Sequence, residues 1–158
     1  MAFDVKPIVS PKPTDCGATC MKMLLDYYGI DVDLDTLIKE CRTNIIGCTG
    51  ADLLRVGRKY GLEMKAYREI GADDDILPEA KVINVPTLGE DRPAIIWWKF
   101  NHWCVLCGKD EDGKVVVCNP DRGRLRMSEG VFWAFYTDVS LTNGEPEVLK
   151  KGENNDED

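Results

Sequence analysis

One cysteine opens an amphipathic stretch early in the chain, and the whole chain holds a single histidine. Cys16 follows Thr14 and Asp15, residue types that favour helix N-caps. It precedes Ala18, Met21, Leu24, Leu25 and Tyr28, apolar residues recurring at three- and four-residue steps. A thiol in that first turn meets unpaired N–H groups and the positive end of the helix dipole, which stabilise a thiolate, the form in which cysteine attacks. His102 is the only imidazole and lies far downstream, so a Cys–His pair must be made by folding. Such a base needs a third group on its other ring nitrogen to fix the tautomer. Asn119 is the leading candidate: it follows the return strand of the hairpin that His102 begins, and Pro120 with Gly123 makes a rigid turn beside it. Each residue also has an ordinary role, as a small packed thiol, a strand histidine and an Asn-Pro turn. By spacing and placement alone the structural and catalytic readings stand level.

The elements that must position these groups read as helices first and strands second. Pro7, Pro11 and Pro13 give an extended N-terminal arm. A helix is expected over residues 16–28, stopped by Gly29. A second runs from Asp33 to Cys41, with Leu34, Leu37, Ile38 and Cys41 on one face, and a third from Thr49 or Gly50 to just before Gly61. Residues 62–68 read as a strand, and Gly71–Pro78, with three consecutive aspartates, as a solvated loop. Pro93–Trp98 and His102–Cys107 then read as buried strands. Asp110-Glu111-Asp112-Gly113 is a hairpin turn, and Lys114–Cys118 the return strand. A short helix from Ser128 and a strand near Thr137–Leu141 close the pattern. This is an α+β fold, with N-terminal helices packed on a C-terminal antiparallel sheet. The expected domain covers residues 1–142, and residues 143–158 form an acidic, disordered tail.

Composition narrows the partners. A net charge of -8 over 158 residues repels nucleic acid and anionic membranes. No apolar run approaches the ~18 residues a membrane span needs, and the N-terminus lacks the pattern of a signal peptide. The expectation is a stand-alone cytoplasmic protein, its seven cysteines reduced. Cys104 and Cys107 have Cys-x-x-Cys spacing but no second such pair, and residues three apart on a strand face opposite ways. They read as core, so no metal or other cofactor is expected. Cys20, on the same helix face as Cys16, also reads as core. Trp103, beside the histidine, reads as core or groove wall.

The stretch from Asp15-Cys16-Gly17 through Tyr27-Tyr28-Gly29 resembles the nucleophile helix of the C39 peptidases, papain-like domains that remove double-glycine leaders from bacteriocin-type peptides. The segment from His102 to Gly123 looks like that family's histidine and acid blocks, and Ser128–Leu141 like its closing motif. The resemblance covers about residues 5–142 and implies a papain-like fold. It makes Cys16 the nucleophile, His102 the general base and acid, and Asn119 the orienting residue. The expected function is a cysteine peptidase that cuts peptide or protein substrates, leader sequences among them, after small residues. Two departures stand out. The family's third residue is usually Asp, where this chain has Asn119. The family's oxyanion glutamine falls at Ser10, and the chain has no glutamine at all. Losing such a donor costs about 10²–10³ in rate. The alternative expectation is therefore a catalytically silent C39-like domain that holds a peptide or partner without cutting it.

Overall fold

The computed structural model of the chain describes residues 2–69, 77–83, 90–99 and 101–147. Most of the loop expected at 71–78 and the chain after 147 lie outside the described residues. A short 3-10 turn, Pro13–Asp15, leads into α1 (Cys16–Tyr27), followed by α2 (Leu34–Glu40) and α3 (Gly50–Lys59). The strands are β1 (Met64–Glu69), β2 (Lys81–Ile83), β3 (Ala94–Trp98), β4 (His102–Lys109), β5 (Val115–Asn119), β6 (Gly123–Met127) and β7 (Tyr136–Asn143). A fourth helix, α4 (Glu129–Phe135), enters between β6 and β7. They form one sheet in the order β2-β1-β7-β3-β4-β5-β6. All its pairings are antiparallel except the edge pair β1–β2.

Local chemistry explains most of these boundaries. Asp33 caps α2 by accepting from the Thr36 N–H, and Thr49 and Asp52 form a reciprocal capping box at the start of α3. Gly29, at φ +78°, ends α1 in the left-handed conformation that a glycine adopts without steric cost. Ser128 caps α4. Sequence reading misses β2 and β6. In β6, exposed Arg124 and Arg126 alternate with half-buried neighbours, so it lacks the apolar signature of the central strands. Such charges suit an edge strand, where they discourage pairing with another chain. Beyond the boundary expected at residue 142, Asn143 ends β7, Gly144 N donates to the Glu63 carbonyl at 2.8 Å, and Glu147 N donates to Asp91 at 3.0 Å. The packed chain therefore continues to the last described residue, 147.

The sheet is covered on both faces. On one, Met21, Leu24 and Leu25 of α1 and Leu53 and Leu54 of α3 bury Val105 and Leu141. On the other, Ile96, Trp98, Leu106 and Val117 pack with Phe132 and Tyr136 from α4 and the start of β7. Cys104 and Cys107 fall in different clusters, as strand alternation requires. No helix among the described residues is long and apolar enough to cross a membrane.

Gly17, the second residue of α1, lies at a close contact. A Cβ there would run into Cys48 Sγ and approach Trp103 Cδ1 to 3.2 Å. Alanine in a helix normally gains roughly 0.5–1 kcal/mol over glycine. Overpacking a close-fitting core costs about 1–3 kcal/mol. The second effect should win, so Gly17→Ala lowers the Tm by several degrees in thermal unfolding. Gly17→Ala/Cys48→Ala, which removes the sulfur, recovers most of that loss.

Candidate active site

Cys16 is the first residue of α1 and is 7% exposed. The two other long-axis contributors to the helical layer, α2 and α3, have side-chain caps, but α1 does not: Asp15 occupies the N-cap position and its side chain makes no capping bond. The first N–H groups of α1 thus keep no side-chain acceptor at the end where the helix dipole is positive. Thr14 and Asp15 had the residue types for capping; the preceding 3-10 turn, closed by Asp15 N donating to the Lys12 carbonyl, carries the chain into α1 instead.

His102 begins β4 and Asn119 ends β5, and the antiparallel pairing of these strands brings the two residues to the same end of the hairpin. His102 Nε2 lies 2.9 Å from Asn119 Oδ1. An amide oxygen only accepts, so Nε2 carries the proton and Nδ1 is left to face a thiol. The same Oδ1 accepts from the Asp121 N–H at 2.8 Å, which fixes the amide's orientation with a second donor. The turn is anchored in turn by Ser10 N, which donates to the Pro120 carbonyl at 2.8 Å.

Burial disfavours a charge on His102. Hydrogen bonding to the Cys104 and Cys16 sulfurs, the charge at Cys104 and the bond to Asn119 overcome it and raise the ring from 6.5 to about 11. These interactions favour an imidazolium facing a thiolate. Three sulfurs gather here. Burial pushes the thiols of Cys20 and Cys104 up, the first with nearby Cys104, Cys16 and Asp121 pushing the same way and the second despite His102. Cys16 alone of the three stands at an uncapped helix start.

The structure therefore brings together Cys16, His102 and Asn119. Ser10 is nearby but otherwise engaged. Its hydroxyl donates to Thr19 Oγ1 at 3.1 Å, and Thr19 donates to the Asp15 carbonyl at 2.8 Å. Trp103 turns onto the helical face, where its indole N–H donates to the Cys48 carbonyl at 3.3 Å. Two residues that sequence reading passes over also reach the histidine. Cys104 read as plain core, although its position two residues after His102 on a strand puts it on the same face. Asp121 carries a carboxylate oxygen 3.6 Å from His102 Nε2. The signal was its place just beyond Asn119-Pro120, in a turn whose backbone folds back on the amide.

Residues 4–147 match the model of the peptidase C39 family. The lactococcin-G-processing and transport ATP-binding protein LagD of Lactococcus lactis is 25% identical over 136 residues, 86% of this chain and 18% of that protein. The colicin V secretion/processing ATP-binding protein CvaB of Escherichia coli is 25% identical over 136 residues, 85% of this chain. The chain thus spans 18% of the length of these curated relatives. Among solved structures, a double glycine motif protease from an AMS/PCAT transporter, in complex with the leader peptide, superposes with a TM-score of 0.71 at 27% identity, covering 89% of this chain and 91% of that one. The peptidase domain of Streptococcus ComA superposes with a TM-score of 0.68 at 21% identity, over 87% and 96%.

With one histidine in the chain, its imidazole signals are unambiguous in nitrogen-detected NMR. His102 is expected to hold its proton at pH 8, where an unperturbed histidine, at ~6.5, is neutral. Because the folded ring is raised, the charged form persists as pH climbs and is lost only toward about 11. Asn119→Ala lowers that midpoint and weakens the preference for Nε2–H. A wild-type midpoint near 6.5 would mean that no thiolate faces the ring.

Proposed function

The chain belongs to the peptidase C39 family, and from that premise we propose that it is a cysteine peptidase that cuts peptides, leader sequences among them, after small glycine-type residues through Cys16, His102 and Asn119. The observation that carries this reading is the 2.9 Å bond from His102 to Asn119, with the Cys16 sulfur on the same ring and at the uncapped start of α1.

The steps follow from the groups present. Cys16 Sγ, as thiolate, attacks the scissile carbonyl carbon. The oxyanion that forms lies at the start of α1, where the Cys16 N–H is one available donor. His102 gives its proton to the departing amine, and the carbon–nitrogen bond breaks to leave a thioester on Cys16. A water then gives a proton back to His102 and its oxygen attacks the thioester; the carbon–sulfur bond breaks, releasing the new carboxyl end and restoring the Cys16 thiolate and His102 imidazolium. Asn119 keeps the ring in the tautomer and plane both transfers need. The substrate class is supported by the relatives, named for lactococcin-G processing and transport and for colicin V secretion and processing, and by the neighbouring structure in complex with a leader peptide.

A second reading, a domain that holds a leader without cutting it, is favoured by one observation: the Ser10 proton is spent on Thr19, so this side chain offers no free donor to an oxyanion.

Incubated with a peptide carrying two glycines before the scissile bond, the protein should release two products by mass spectrometry. Cys16→Ala should abolish release with its thermal unfolding unchanged, and Asn119→Ala should slow it about 10²-fold. Binding of the peptide without any Cys16-dependent product would overturn the peptidase reading in favour of the silent one. In an active enzyme, Ser10→Gln adds an amide donor at the oxyanion position and should raise kcat, by at most the ~10²–10³ one such donor is worth.

A further inference from the structure

Around the His102 ring stand Cys16 from α1, Cys104 from its own strand, Asn119 from β5 and Asp121 from the β5–β6 turn. Three of these carry no fixed charge at neutral pH as free groups: two thiols and an amide. Asp121 is the one carboxylate the described residues place on the ring. Its Oδ2 is 3.6 Å from Nε2, the nitrogen that already donates to Asn119. The distance is too long for a good hydrogen bond and well suited to charge–charge attraction. Asp121 also reaches past the ring, where its charge opposes thiolate formation at the buried Cys104 and Cys20.

We propose that Asp121 is a positioning residue of this site: Asn119 fixes the tautomer and plane of His102, and Asp121 adds a negative charge on the Nε2 side that, together with a thiolate on the other side, favours the imidazolium. The inference rests on the catalytic reading of His102 given above. Its physical basis is a division of labour. A neutral amide orients a ring through a directed hydrogen bond but gives only a dipole to a positive charge. A carboxylate at ion-pair distance gives a full charge without needing direction.

The turn itself makes the arrangement. Arg122 N donates to the Asn119 carbonyl at 3.0 Å and Asp121 N to Asn119 Oδ1 at 2.8 Å, so the chain reverses at Pro120 into β6. Residue 121 is thereby returned beside the amide. The bonds that make this turn use the Asp121 backbone, not its carboxylate, so the side chain is free of any part in holding it. It is 51% exposed, whereas His102 is 12% exposed. A charge so placed acts on the ring but is partly screened by water and salt.

The test is the titration of His102 by NMR, followed beside the alkaline limb of kcat/KM, which reports the same ring in the free enzyme. Asp121→Asn should lower the midpoint by about one unit, the low end for loss of a neighbouring opposite charge. The shift should shrink as ionic strength rises. Asp121→Glu should hold most of the wild-type midpoint. Asn119→Asp/Asp121→Asn, which moves the charge onto the residue that takes the hydrogen bond, should restore it. A His102 midpoint unchanged in Asp121→Asn overturns the proposal, whatever the hydrolytic activity. Because the NMR midpoint needs no substrate, a protein that cuts no peptide but shows the shift loses the peptidase reading and keeps the charge on the ring.

Discussion

The burial of α1 against the centre of the sheet is the constraint on which the rest depends. From Cys16 through Met21 every residue is buried, and Gly17 gives up a side chain so that Cys48 and Trp103 can close over the helix. A helix held this way cannot slide or roll without opening the core, since close-packed interiors leave little slack. Its first residue is therefore fixed relative to β4, whose first residue is His102. The proposed nucleophile and base are placed by the hydrophobic core rather than by the loops that surround them.

That placement sets the electrostatics. Three thiols share a small volume, and burial disfavours ionising any of them. What separates them is the local field. Cys20 lies a turn inside α1 and Cys104 lies within a strand, both wholly buried, while Cys16 sits at N–H groups that no side chain caps. A side-chain cap at α1 would have satisfied those donors and stabilised the helix by about 1 kcal/mol. A helix start without a side-chain cap is the kind of local cost seen where a site needs the same groups for chemistry. The histidine is treated in the opposite way. Its ring is held by an amide oxygen that is itself held by a second donor, so neither can turn alone.

The parts of this fold that were legible in sequence are those where periodicity and burial coincide. The three helices and the β3–β4–β5 hairpins carry apolar residues at the right repeat, and Cys16, His102 and Asn119 are the residues that start or end α1, β4 and β5. The strand β6 was not legible because arginines fill its exposed face, and β2 because three residues leave no period to detect. The uncapped start of α1 was hidden by Thr14 and Asp15, whose types promise a cap that the 3-10 turn forestalls. Asp121 and Cys104 were missed for a different reason. Their part in the site comes from where a turn and a strand face bring them, and a single sequence shows type and spacing but not which side chains converge.

Ser10 shows how a departure in one residue acquires a structural meaning. Its backbone N–H holds the Pro120 carbonyl, and its hydroxyl holds Thr19 in the first turn of α1. One residue thus ties the helix that carries Cys16 to the turn that carries Asn119 and Asp121. The arm that brings it there is fastened along the sheet. Phe3 N donates to the Cys107 carbonyl at 2.7 Å, Val5 is wholly buried, and Arg124 of β6 donates to the Val5 carbonyl at 3.2 Å. The prolines that follow limit the conformations the arm loses on docking, which lowers the entropy cost of holding it. A longer amide side chain at position 10 would keep the backbone bond but give up the hydroxyl link to Thr19. The serine therefore gives a firmer joint between the two halves where the longer amide would give an extra donor. A histidine that meets two separate groups on that joined turn, Asn119 and Asp121, has the most to lose if the halves drift apart.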